Sequence, residues 1–435
     1  MEVFVVGSRR RIKMIDQIAH EITAQCEEPK MPSPAHEKNI KQSPHFIEHE
    51  LMLCCARTVM DAHTASQIRV LLRQDIDWAY LLEIATQQNV TPLLCFNLRA
   101  RFSEACPTIV LARLDALLRD DEAGHVFFSQ ELVRIAGIFE AHGIRVIPYK
   151  GPILTNQAFR QIVPRRFGDL DVLIHKWDHH RVTDVLHKRG WTLIVDFGWE
   201  MTFKHPSGWI TLDVHEALTH TRMPLRVDFD QMWKRCVTLS ILGKPVRTFA
   251  PNDLLIVLCV QLAKDIGEKP KPPLMKICDI AELIRDNQRI DWEWVSQEAG
   301  KLGALVILYL GVRTAADVFG IVLPKEIWEK SRAFPQMNSL ITHVRERVLG
   351  GTNNRYSHPE LLNESLWYTV IRERFRHKNR LARGLYRIFT TNSLDYSFVR
   401  LPRALFLLYY VVRPVRLVDN YGRKLLSQIH RNFRT

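Results

Sequence analysis

Two aspartates stand one residue apart at the mouth of an apolar run, Gly168-Asp-Leu-Asp-Val-Leu-Ile174. Alternate residues of a strand share a face, so a strand here would set Asp169 and Asp171 side by side. Two carboxylates on one face of a buried strand are costly unless something neutralises them. A divalent cation does so, and magnesium favours one or two carboxylates together with substrate phosphates. A second alternating run, Ile210-Thr-Leu-Asp-Val-His215, offers Asp213 as a third ligand and as acceptor of a hydroxyl proton. His215, two residues on, is expected on the same face, ordering that acid or the acceptor. Upstream, Lys150-Gly151 closes another apolar run. Gly151 would let the backbone approach phosphate at the start of the next helix, where free amides favour anions. Lys150, Arg165 and Arg166 supply positive charge for a triphosphate and a departing pyrophosphate. The chemistry these groups suit is in-line attack of a hydroxyl on an α-phosphate, clamped by two metal ions while the protein positions and neutralises. Each part has a plain structural alternative: a turn-capping aspartate, a solvated strand acid, a core histidine, loop arginines. Their joint order is much rarer than any one of them.

The elements needed to place these residues can be read around them. Residues 1–45 are polar and broken by Pro29, Pro32, Pro34 and Pro44, which suggests a mobile leader with a short helix around residues 14–26. Residues 46–142 carry helical apolar spacing. Helix starts are expected at Asp77-Trp78 and Thr91-Pro92, with two further separate helices over 111–118 and 126–139. At Gly143 the pattern changes to strand (144–149), helix from Pro152, strand (170–174), helix (178–189) stopped by Gly190, then a meander through 215. Residues 143–250 thus form a small α/β unit with a mixed sheet. A helical bundle is expected over 251–334, and a basic, aromatic helical region over 335–435.

Bulk composition narrows the setting. The 435 residues are 46% hydrophobic and 25% charged, enough for two or three domains. Eight cysteines form no CxxC pair and no zinc spacing, which fits reduced, buried thiols and a cytoplasmic protein. No window reaches the ~18–20 apolar residues of a membrane span. The net charge of +13 is concentrated at the end: residues 371–435 hold 15 Lys or Arg against three acids. Such a tail could meet an anionic membrane surface or an acidic partner, placing the protein peripherally at the inner membrane face. Nucleic acid is not expected as a partner, because charges between residues 143 and 220 are mixed.

The segments Tyr149-Lys-Gly151, Arg165…Gly168-Asp-Leu-Asp-Val-Leu-Ile174 and Leu212-Asp-Val-His215 resemble an uncharacterised bacterial nucleotidyltransferase family within the DNA polymerase β-like superfamily. Asp77-Trp78, Asp279-Ile-Ala-Glu-Leu-Ile284, Asp291-Trp292 and the late run 401–414 are similar to it as well. The resemblance implies an α+β fold, a five-stranded mixed sheet flanked by N- and C-terminal helical domains. It implies Asp169, Asp171 and Asp213 as catalytic metal ligands, with Lys150, Gly151, Arg165, Arg166, Gly168 and His215 toward the nucleotide. The activity implied is Mg2+-dependent transfer of a nucleoside monophosphate from a nucleoside triphosphate, expected to be ATP. Its acceptor would be a small molecule, saccharide, peptide or protein. Lys150-Gly151-Pro152 replaces the superfamily's glycine-serine pair, which leaves a non-catalytic nucleotide-binding or scaffold protein as the alternative. Asn at Asp169 or Asp171 is expected to abolish transfer, keep the fold and relieve like-charge repulsion.

Overall fold

The computed structural model describes residues 45–159, 168–220, 223, 225–269, 271–286 and 290–349, together with 367, 399, 408, 409, 411, 412, 415 and 416. The leader, Arg165, Arg166 and most of the basic tail lie outside the described residues.

Four strands and a short fifth build the central sheet: β1 (Val146–Pro148), β2 (Asp169–Ile174), β3 (Thr192–Asp196), β4 (Glu200–Lys204) and β5 (Thr211–His215). Their order is β1-β2-β5-β4-β3. Strands β2 and β5 run parallel, whereas β1–β2, β4–β5 and β3–β4 are antiparallel, so the sheet is mixed. Period-two alternation divides each strand between two environments. Leu170, Val172, Ile174, Met201, Phe203, Leu212 and Val214 enter one apolar core. The intervening positions, Asp169, Asp171, Glu200, Thr202, Asp213 and His215, line the other face.

Helices cover the apolar face. The longest, α5 (Thr108–Ala141), follows α1 (Phe46–Cys55), α2 (Ala62–Leu71), α3 (Trp78–Gln87) and α4 (Thr91–Arg101). Asp77 caps α3 as its spacing suggested, its carboxylate accepting from the Tyr80 amide at 3.0 Å. The C-terminal half of α5, through Phe128, Leu132, Ile135 and Phe139, packs on the sheet with Val182, Val185 and Leu186 of α7 (His179–His187). Between them in the chain, α6 (Pro152–Gln157) is short. The two helices expected over 111–118 and 126–139 are therefore one element of 34 residues. The intervening Arg119-Asp-Asp-Glu122 lacks apolar residues, yet arginine and glutamate are good helix formers, and the segment stays helical.

Beyond α8 (Phe229–Arg235), a hairpin of β6 (Val237–Ile241) and β7 (Lys244–Thr248) caps the sheet edge, with Thr248 Oγ1 donating to the Pro148 carbonyl at 2.5 Å. Its two-residue turn holds Leu242 at φ 49° and Gly243 at φ 74°. Both being positive is the signature of a type I′ turn.

The polar face of the sheet looks toward a helical bundle: α9 (Pro251–Glu268), α10 (Met275–Asp286), α11 (Trp292–Leu302), α12 (Leu305–Phe319), α13 (Lys325–Arg332) and α14 (Met337–Leu349). Helix α9 is buried on nearly every side, from Asp253 to Ile266. It meets α12 so closely that a Cβ on Gly311 would lie 2.5 Å from Cys259 Sγ and 3.2 Å from Cys259 Cα. Asp291 caps α11, accepting from the Trp294 amide at 2.9 Å. No described helix is long and apolar enough to cross a membrane.

Candidate active site

Parallel pairing of β2 and β5 sets Asp171 directly opposite Asp213, and Asp169 opposite Thr211. The pair lies where the apolar alternation of both strands leaves one polar column. Asp169, at the open end of β2, is exposed, whereas Asp171 is 3% exposed. The three aspartates singled out by spacing therefore share one face of adjacent strands.

Asp171 is held by cations on two sides. The amide of Tyr149 donates to its backbone carbonyl at 3.3 Å, which brings the chain of Lys150 alongside. Lys150 Nζ then forms an ion pair with Asp171 Oδ1. His215 Nε2 approaches the same oxygen at 3.1 Å. Burial by itself would raise the Asp171 carboxyl, but Lys150 and His215 outweigh it and hold it far below the ordinary range. Its Oδ2 is buried without a hydrogen-bond partner. The expectation that Asn at Asp171 relieves repulsion is thus reversed: this carboxylate is compensated, and removing it strands two buried cations.

Repulsion instead collects on Asp213. Burial, followed by the nearby carboxylates of Asp171 and Glu200, pushes its carboxyl up to about 7, against the donation of Thr202 Oγ1 to its Oδ1 at 2.8 Å. A buried acid tuned near neutrality is suited to taking a proton from an attacking hydroxyl.

Lys150, Gly151, Gly168 and His215 can also be placed. Gly151 adopts φ 56°, ψ −124°, a region only glycine occupies readily, at the N-cap of α6. Gly168 sits in an exposed bend where an added Cβ would meet nothing within 4 Å, so no steric demand for glycine arises from the described residues. Its carbonyl accepts from Thr211 Oγ1 at 3.4 Å. His215 is 2% exposed and faces Asp171 rather than open space.

Two participants escaped the motif reading, Glu200 and Lys264. Glu200 stands opposite His215 across β4–β5. Its Oε2 lies 3.3 Å from His215 Nδ1 and 3.4 Å from Lys264 Nζ, which comes from α9. Burial would raise Glu200, but His215 and Lys264 bring it down to about 2. Lys264 also lies 4.4 Å from the centroid of the Trp199 ring.

Among the described residues no three His, Cys, Asp or Glu side chains converge as a ready metal cage. The donors fit a cation in another way: one orphaned buried oxygen of Asp171 and an in-register Asp213 are the one or two carboxylates that magnesium takes when phosphate oxygens and water complete its shell.

A mixed five-stranded sheet with aspartates paired across its central parallel strands, between helical layers, defines an α+β nucleotidyltransferase-type core. The chain belongs to a family described as uncharacterised nucleotidyltransferases, which it matches over residues 74–320. The crystal structure of an antigenic nucleotidyltransferase-like protein from Paracoccidioides brasiliensis is similar at 18% identity, over 49% of this chain and 92% of that one, with a TM-score of 0.31. No curated protein matches the chain.

Proposed function

We propose that the protein transfers a nucleoside monophosphate from a nucleoside triphosphate, ATP in the first instance, to a hydroxyl acceptor and releases pyrophosphate. One observation carries this reading: Asp171 and Asp213 are in register on a buried polar face, and Asp171 keeps one oxygen without a partner. Asp171 and Asp213, with Asp169 at the open edge, are the residues that would hold Mg2+. When bound, the cation supplies charge neutralisation at the phosphates and at the departing pyrophosphate. The chain's own groups do the rest. Asp213 accepts the acceptor's proton, and Lys150 offers its ammonium to phosphate oxygens in exchange for Asp171 Oδ1. Gly151 keeps the backbone beside Lys150 free of a side chain, and Arg165 and Arg166 are assigned to the triphosphate from the sequence. The acceptor is a small molecule, a saccharide, a peptide or a protein. The 371–435 tail, with its surplus of basic residues, would bring the enzyme to an anionic membrane surface or an acidic partner from the cytoplasm.

A binding-only role has its own support, because Lys150 already rests on Asp171 as a resident counter-charge. One experiment separates the two. Purified protein is incubated with each α-labelled triphosphate, Mg2+ and cell extract. Label on an acceptor that disappears with EDTA supports transfer. Nucleotide-dependent protection against melting, with no label transferred under any condition, would replace catalysis by binding.

A further inference from the structure

His215 has a carboxylate against each ring nitrogen: Asp171 Oδ1 at 3.1 Å from Nε2, and Glu200 Oε2 at 3.3 Å from Nδ1. The Nε2 contact is a hydrogen bond, whereas the Nδ1 contact is a close charge–charge approach that falls outside hydrogen-bond geometry. The ring is also enclosed, with the Tyr149 centroid at 5.8 Å and the Trp199 centroid at 6.1 Å. Glu200 is in turn tied to the bundle by Lys264. With Lys150 and His215 both placed on Oδ1, the remaining oxygen of Asp171, Oδ2, is the one left buried and unpartnered.

We infer that Glu200, anchored by Lys264, is a positioning residue. It fixes the His215 ring so that Nε2–H stays on Asp171 Oδ1, and Asp171 thereby presents Oδ2 to a divalent cation. This rests on the nucleotidyltransferase reading. A partner in direct contact with a ligand, here His215, commonly changes metal affinity 10- to 100-fold when deleted, and Glu200, acting through that ring, should reach the lower end of this range. Here the oxygen selected is the one that would otherwise rotate onto Lys150. Lys264 acts one step further out, through a longer contact, and its loss should matter less.

The test needs no turnover. Mn2+ is titrated into the full-length, nucleotide-free protein and followed by electron paramagnetic resonance of the free ion, well below the melting temperature. Asp171→Asn should lose Mn2+ binding. Glu200→Ala should weaken it on the order of 10-fold. Glu200→Gln keeps the side-chain shape and an oxygen facing Nδ1 and should recover part of that loss, and Lys264→Met should fall between Gln and wild type. Should Glu200→Ala fail to fold, the isosteric Gln and Lys264→Met still decide. Affinities of Glu200→Gln and Lys264→Met equal to wild type would overturn the positioning role while sparing the nucleotidyltransferase reading. Equal losses in Gln and Ala would assign the effect to charge alone and likewise overturn it. Wild type taking up no Mn2+, with or without ATP, would overturn both.

Discussion

Asp213→Asn should stabilise the metal-free protein at alkaline pH and leave it unchanged in acid. The carboxyl of Asp213 rises from an ordinary 3.8 to about 7, driven by burial and by Asp171 and Glu200. A raised value means the folded state binds this proton more tightly than the unfolded chain does. The resulting stabilisation is complete below about pH 4 and is lost as pH climbs through 7. At ~1.4 kcal/mol per unit, a displacement of about three units corresponds to roughly 4 kcal/mol. Partial access to solvent reduces this, and about 2 kcal/mol is a fair expectation. Asparagine keeps the shape and the Thr202 contact without the charge. Thermal melts in EDTA, monitored by circular dichroism from pH 5 to 9, should show wild type falling away from the variant above pH 6.5. For a chain of this size the gap is a few degrees at pH 8.5. Mg2+ should close it by compensating the wild-type anion. Melting temperatures that run parallel across the whole range would refute the argument, because Asp213 would then ionise like a surface acid.

Two further outcomes follow from the same geometry and from the packing. Asp171→Asn should abolish label transfer and also lower the melting temperature by the equivalent of about 3–5 kcal/mol, since it leaves Lys150 and His215 without their shared carboxylate; a variant as stable as wild type by urea unfolding would contradict the ion-pair assignment. Gly311→Ala should cost about 1–3 kcal/mol through overpacking against Cys259, measurable in the same melts, and Gly311→Ala combined with Cys259→Ala should recover part of it.

The strand period was enough to set Asp169 with Asp171 and Asp213 with His215, because two-residue alternation is a local property. The chain's own helix starts were equally local: aspartates ahead of apolar runs at 77 and 291 became caps. Register between β2 and β5 is a different matter. The strands are separated by α7 and two other strands, and a slip of one residue would send Asp213 into the apolar core. Glu200 was within reach of counting once the 205–210 turn was known, since the hairpin closes with His205 donating to the Ile210 carbonyl. Lys264 was not, because its contact depends on how α9 packs; its one signal was a charged pair, Lys264-Asp265, late in a helix that is mostly apolar. The β6–β7 hairpin was hidden by Leu242, a branched residue in a turn position that asparagine or glycine usually marks.

Helix α5 contributes to two interiors along its length. Near its start Val110 and Leu114 sit in the interior of the α-helical layers, while Phe128, Leu132, Ile135 and Phe139 complete the sheet's interior some turns later. It is a beam about 50 Å long spanning both rooms. A fragment started at Gly143 would lose the helix that covers the sheet's apolar face, and should be less stable than the chain that includes it. The length of this helix is shared between the two interiors, and changing it would shift both at once.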